Sequence, residues 1–141
     1  MSTEQTIHLI GDFRRDEKLA VAALSPGHLI EVTSADEVQK ESTGAVAVDR
    51  LVAVEDALQG RPITTAYATD ELVSFNVYAP GAECQVFLAA AQNVAIGAKL
   101  ESAGDGTLTA LASGVAIAIA MEAQDLSDSS AVDTLTHVRF I

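Results

Sequence analysis

The feature that most constrains this chain is a two-residue alternation of apolar and polar side chains, interrupted at intervals by glycine, proline and aspartate. Over Leu72–Tyr78, Val73, Phe75 and Val77 fall on one side, with Ser74 and Asn76 on the other. A strand sends successive side chains to opposite faces, so this pattern predicts a half-buried antiparallel strand. Glu83–Leu88 repeats it, with Cys84, Val86 and Leu88 on one side. Between the two lies Ala79-Pro80-Gly81, a turn in which proline presets φ and glycine accepts a positive φ. Ser25-Pro26-Gly27 makes the same kind of turn ahead of a strand at Leu29–Val32. Gly104-Asp105-Gly106 is a tight-turn signal leading into a strand at Leu108–Leu111, because Asp-Gly tolerates the positive φ of hairpin turns. Val115–Ala120 alternates Val, Ile and Ile with Ala, so a large-residue face opposes a small-residue face, and the alanines suit packing between sheets or between subunits. His137–Ile141 closes the chain as a strand with Val138 and Phe140 on one face.

The remaining segments are less regular. Residues 1–12 form a polar arm with a strand-like piece at Ile7–Ile10. Phe13–Leu24 has helix-forming composition, with Phe13, Ala20, Val21 and Leu24 roughly on one face, and fits an extended arm equally well. Ser34–Thr43 reads as a loop or a short outer hairpin. Ala45–Val54 reads as a strand pair or one long strand broken at Asp49-Arg50. Val54–Gly60 can make one helical turn stopped by Gly60, since glycine ends helices by adopting a left-handed conformation. Glu122–Asp133 is an acidic, serine-rich loop. Short strands separated by turn signals predict an all-β fold. Residues 25–141 would form a single small β-sandwich or barrel, jelly-roll-like or of β-tulip form, and residues 1–24 an extended N-terminal arm or short helix.

Composition bounds what such a fold can do. Of 141 residues, 49% are apolar but only 4% aromatic, with no Trp, so the core must be built from Val, Ile, Leu and Ala. Each small side chain buries little area, and further burial in an oligomer would help. Twenty acidic residues against eight basic ones give a net charge of −12. Proteins that bind a duplex cluster Lys and Arg to neutralise phosphates. Here the one local basic group, Arg14, Arg15 and Lys18, is interleaved with Asp12, Asp16 and Glu17. The balance argues against nucleic acid and against an anionic membrane. The longest apolar run, Val115–Met121, is far short of the roughly 20 residues a membrane helix needs. Residues 1–13 lack a basic segment followed by an apolar one, so no signal peptide is expected. Cys84 is the single cysteine, which excludes an internal disulfide and fits synthesis in a reducing cytoplasm.

Motifs for chemistry are sparse. His8, His28 and His137 are scattered, without metal-ligand spacing. Cys84 lies on an apolar strand face, where a buried thiol acts as a small hydrophobe. Ser25 near His28 lacks the Gly-x-Ser-x-Gly elbow of a hydrolase. Asp105 between two glycines lacks calcium-loop spacing. The carboxylate pairs Glu55-Asp56 and Asp70-Glu71 lie at turns. The expectation is a protein without catalytic residues, cofactor or metal. Val94–Glu101 resembles the Val-x-x-Gly-x-x-Leu strand of biotinyl and lipoyl carrier domains, but Lys99 lies within the strand pattern, away from the Gly104-Asp105-Gly106 tip. An adaptor barrel of that kind, or another protein-binding β module, is the alternative function.

A second likeness covers roughly Ala20 to the C-terminus. Ser25-Pro26-Gly27-His28-Leu29-Ile30-Glu31 is similar to the Pro-Gly-x-Leu segment of tailed-phage head proteins. It is followed in order by Leu51–Asp56, Gly60, Ala66-Tyr67-Ala68, Val73-Ser74-Phe75, Pro80-Gly81, Ala90–Val94, Gly97 and Leu100–Leu108. Together these resemble the capsid decoration, or cement, proteins of HK97-like tailed bacteriophages. The resemblance implies a structural virion protein, made in the host cytoplasm. It would bind the outer surface of the assembled major capsid protein shell and stabilise it, as a homodimer or homotrimer at a symmetry axis. On that reading the N-terminal segment is the candidate capsid contact. Ile7, Leu9 and Ile10 would add a strand to a capsid sheet edge, Phe13 would anchor it, and Arg14 and Arg15 would pair with capsid carboxylates.

Overall fold

The computed structural model describes residues 6–141. Its strands are β1 (His8–Ile10), β2 (Phe13–Leu19), β3 (Ile30–Val32), β4 (Val38–Lys40), β5 (Leu51–Ala53), β6 (Leu72–Tyr78), β7 (Glu83–Leu88), β8 (Asn93–Val94), β9 (Lys99–Ser102), β10 (Leu108–Ala110), β11 (Ala118–Ala120), β12 (Gln124–Asp125) and β13 (Thr134–Phe140). One turn of 3-10 helix, Ala57–Gln59, lies between β5 and β6. Gly60 ends it in the left-handed region, φ 69°. The fold is all-β, and of the sandwich and barrel alternatives it contains a closed barrel of five strands.

The barrel runs β7, β10, β9, β11, β13 and back to β7. Its longest seam joins β7 to β13, antiparallel from Glu83↔Arg139 to Leu88↔Thr134. The ring closes through a parallel bridge, Leu108↔Leu88, where the Ala89 N–H donates to the Leu108 carbonyl at 2.9 Å. Alternation delivers Cys84, Val86 and Leu88 of β7 and Val138 and Phe140 of β13 to the interior, all buried. A five-stranded barrel is narrow, and large residues cannot point inward from every strand. On β11 the inward residues are Ala118 and Ala120, set opposite Phe140 and Val138, so small side chains face large ones across the seam. Of the places open to the alanine face, Ala118 and Ala120 occupy the core.

A second layer is built on β6, flanked by β2 and β5. The β3–β4 hairpin packs beside it, and Leu29 bridges to Val52 of β5. Ala20, Leu24, Ile30, Val38, Leu51, Ala53, Tyr67, Val73 and Phe75 form its own apolar cluster. Tyr67 buries its ring there and donates its hydroxyl to the Val54 carbonyl at 2.6 Å.

Several expectations are corrected. Phe13–Leu19 is a strand paired along its whole length with β6, from Phe13↔Tyr78 to Leu19↔Leu72. That pairing satisfies backbone groups that a helix would otherwise satisfy internally, and it draws residues 13–19 of the supposed arm into the domain. Within Ala45–Val54 only Leu51–Ala53 is strand. Strand β6 is not half-buried with a wet polar face, because Ser74 and Asn76 are buried too. Asn76 donates to the Tyr78 hydroxyl at 3.1 Å, so its polarity is partly met inside the protein.

Candidate protein-binding surface

Of the sequence-predicted contact residues, Ile7 lies just before β1, Leu9 and Ile10 lie in β1, and Phe13, Arg14 and Arg15 lie in β2. Ile7 is fully buried in the barrel core, which corrects its place in an exposed arm. Its N–H donates to Glu55 Oε2 at 3.1 Å, and its carbonyl accepts the Gln85 N–H at 2.8 Å. Gln85 also donates its side-chain Nε2 to the Thr6 carbonyl at 2.9 Å. Strand β1 therefore extends this chain's own sheet, pairing with β7 through His8↔Cys84, with β7 as its one neighbour there. Gly11 makes the turn into β2 at φ 100°, and a Cβ there would meet Ala82 Cα at 2.8 Å. Both the left-handed backbone and the close approach require glycine.

That turn leaves Ile10 60% and Phe13 45% exposed. Phe13 caps a column of rings: His8 lies 4.3 Å from Phe13 and 5.6 Å from Tyr78, and Tyr78 stacks on Phe140 at 5.7 Å, reaching the barrel interior. Phe13 is thus mounted on core side chains. Burial holds the His8 imidazole below its usual range, opposed by the nearby Glu55 carboxylate, and so favours the neutral ring. Leu9 is half-buried, and Arg14 and Arg15 are exposed. The ion pairs among the described residues are Lys18–Asp36 at 2.6 Å and Arg61–Glu71 at 2.8 Å, and His137 Nε2 lies 2.6 Å from Glu83 Oε1, so neither Arg14 nor Arg15 has a carboxylate partner there.

A second concavity, a groove of about 660 Å³, lies outside the β7–β13 seam. Cross-strand partners Phe87 and Leu135 form its floor, and Ile63, Glu122, Gln124 and Asp133 stand around it. Gly27 seats the floor: a Cβ there would lie 2.3 Å from Leu135 Cδ2. The sequence reading missed this groove because its lining comes from five separate segments. Chemically it can hold an apolar group beside carboxylates.

Other candidates resolve into packing. Cys84 is buried, which pushes its thiol upward and away from the thiolate a nucleophile needs. His28 Nδ1 accepts the backbone N–H of Ser25 at 2.9 Å, so the contact closes the turn and leaves the Ser25 hydroxyl out. The His28 ring leans on Phe87 at 4.6 Å, and burial, aided by Lys40, pushes its pKa down to about 4. Asp105 accepts the Thr107 N–H at 3.2 Å within its own turn. Asp125 and Asp128 are held below the usual carboxylate range by Ser127 and Ser130 respectively. Lys99 sits in β9, opposite Ile119, and is not presented at a hairpin tip. Among the described residues no three His, Cys, Asp or Glu side chains gather where they could hold a metal ion. No helix among them is long and apolar enough to cross a membrane. No protein-family model matches the chain, and no curated protein matches it in sequence.

Proposed function

We propose that this chain is a structural virion protein that binds the outside of an assembled capsid shell and stabilises it, acting by attachment and not by catalysis. The observation that supports the reading is the exposure of Ile10 and Phe13, with Phe13 mounted on the His8–Tyr78–Phe140 column and followed by Arg14 and Arg15, which have no carboxylate partner among the described residues. Apolar anchors beside exposed guanidiniums suit a protein surface that offers an apolar pocket rimmed by carboxylates. In a protein of net charge −12, such a spot is where a second acidic surface can approach. A ligand that binds only the closed shell stabilises it by mass action, about 2.7 kcal/mol per site at a hundredfold excess over Kd, and the many sites of a lattice multiply that gain.

The experiment mixes purified protein with expanded capsids that lack it. Co-sedimentation and a raised temperature of capsid disruption are expected. Ile10→Asp places a charge in the apolar contact and should weaken binding at least tenfold while leaving the protein's own unfolding temperature nearly unchanged, since Ile10 is mostly solvent-facing. Binding unaffected by this change would remove the proposed contact. A wild-type protein that neither binds nor protects capsids would remove the function.

A further inference from the structure

Strand β2 is the outer strand of the β2–β6–β5 sheet, and one of its edges is open. The hydrogen bonds to β6 fix which residues face that edge. Asp12 accepts the Ala79 N–H, and Ala20 donates to the Glu71 carbonyl. Both lie in the register that pairs Phe13 with Tyr78. In an antiparallel pair, backbone groups alternate between facing the partner strand and facing away. The even-numbered residues therefore bond to β6, and Phe13, Arg15 and Glu17 point their N–H and C=O groups outward. The Glu17 N–H is covered only by its neighbour's side chain, Asp16 Oδ1 at 2.8 Å. The open stretch ends at Ala20, where Val38 of β4 bridges on and takes the Val21 N–H.

Residues 12–18 carry three carboxylates (Asp12, Asp16, Glu17) and three cations (Arg14, Arg15, Lys18), a neutral stretch in a strongly acidic chain. Edge strands left open invite pairing with another chain. We infer that this edge pairs antiparallel with β2 of a second copy, about a two-fold axis through Arg15, joining two three-stranded sheets into one of six. The charges select the register. With Arg15 on the axis, the closely approaching non-hydrogen-bonded pairs are Arg14 with the partner's Asp16 and Asp12 with the partner's Lys18, each formed twice and each of opposite sign. Moving the axis to Asp16 sets Arg14 against the partner's Lys18 and Asp16 against its own copy. Moving it to Arg14 sets Asp12 against the partner's Asp16 and Arg14 against its own copy. Both neighbouring registers oppose like charges in every charged close pair, which is destabilising. An odd shift is forbidden, because inward-facing and outward-facing backbone groups would be opposed.

The chosen register also sets Arg15 opposite the partner's Arg15, but in the wider hydrogen-bonded pair, where Glu17 of each copy reaches diagonally toward the partner's Arg15 and offsets that one repulsion. The partner's Asp12 arrives at Lys18, just before the β4 bridge closes the edge. Lys18 already holds Asp36, and an ammonium with three donors can hold both carboxylates. Ile10 stays outside the paired strands at each end; Arg14 and Arg15 then meet the partner's carboxylates, so the dimer keeps the apolar part of the contact proposed above and not its free guanidiniums.

Two experiments test the pairing on the full chain. In the first, Arg15→Cys places two thiols on the axis, in a pair whose Cα atoms are about 5.5 Å apart, inside the roughly 4.4–6.8 Å a disulfide spans. Cys84 is buried and does not compete. Mild oxidation should convert Arg15→Cys to a covalent dimer. Glu17→Cys should not convert, since its two copies would lie about 13 Å apart along the strands. Equal cross-linking of the two variants, or none of either, overturns the register. In the second, Arg14→Asp and Asp16→Arg should each be monomeric by native mass. Mixing them should give a one-to-one heterodimer, because each copy then meets the opposite charge. Single variants that remain dimeric, or a mixture that stays monomeric, overturn the pairing. Unchanged circular dichroism of each variant shows that lost association is not lost folding. Neither outcome depends on whether capsids bind.

Discussion

Lowering the pH should destabilise this protein, and the His28 imidazole should contribute a separable part of the loss. His28 sits under the Pro26-Gly27 turn with its ring on Phe87. Burial first, and Lys40 second, bring its pKa from 6.5 to about 4. Above pH about 6.5 the residue is neutral in both folded and unfolded chains and contributes no pH dependence. Between about 6.5 and 4 the unfolded chain takes up a proton that the folded chain refuses, so stability falls as pH falls; below about 4 both bind it and the loss is complete. At about 1.4 kcal/mol for each tenfold difference in proton affinity, the ceiling is about 3 kcal/mol, reduced by whatever solvent reaches the ring. The substitution to compare is His28→Asn, whose side-chain oxygen can still accept the Ser25 N–H but does not titrate. Urea unfolding of both proteins from about pH 7 to about pH 4.5 should show the wild type losing about 1–2 kcal/mol more than the variant, below the ceiling because the lower pH stops short of the complete loss and solvent reaches part of the ring. The loss from His8 is common to both proteins and cancels in the comparison, as are those from Glu31 and Glu71, whose pKa values are also lowered. Parallel curves for the two proteins would refute the assignment.

Three further outcomes follow from the packing. Gly27→Ala forces a Cβ to 2.3 Å from Leu135 at a backbone φ of 97°, and should cost about 1–3 kcal/mol in chemical denaturation. Ala118→Leu puts three extra carbons into the narrow barrel opposite Phe140. It should lower stability by about 1–3 kcal/mol or more, whereas Val115→Leu on the exposed side should change it by less than about 0.5 kcal/mol. Tyr67→Phe removes the donor to the buried Val54 carbonyl and should cost about 1–2 kcal/mol in the same assay.

How much of this was legible in the sequence depends on whether the cause is local. Leu72–Tyr78 and Glu83–Leu88 read correctly to the residue, because alternation and the Pro80-Gly81 turn are written into adjacent positions. The turns at Gly27, Gly60 and Gly104–Gly106 were legible for the same reason: each glycine has a positive φ. Phe13–Leu19 was ambiguous, since its charged residues suit a helix as well as an edge strand, and pairing with β6 decides between them. Asn76 looked like a solvent-facing residue because polarity alone does not reveal a buried partner such as the Tyr78 hydroxyl. The closing bridge Leu108↔Leu88 joins distant parts of the chain and leaves no local mark. The candidate contact was half legible. Ile10 and Phe13 stand out as exposed apolar residues, but the burial of Ile7 follows from β1 pairing with β7. No pattern within residues 6–13 encodes that.

Co-sedimentation of the purified protein with expanded shells lacking it tests the central proposal most directly. Bound protein should rise to saturation at a fixed whole number of copies per lattice site, and it should be displaced by excess unlabelled protein. Protein that stays in the supernatant at every concentration, or that binds without saturating, would contradict the proposal that this barrel recognises a repeating capsid surface.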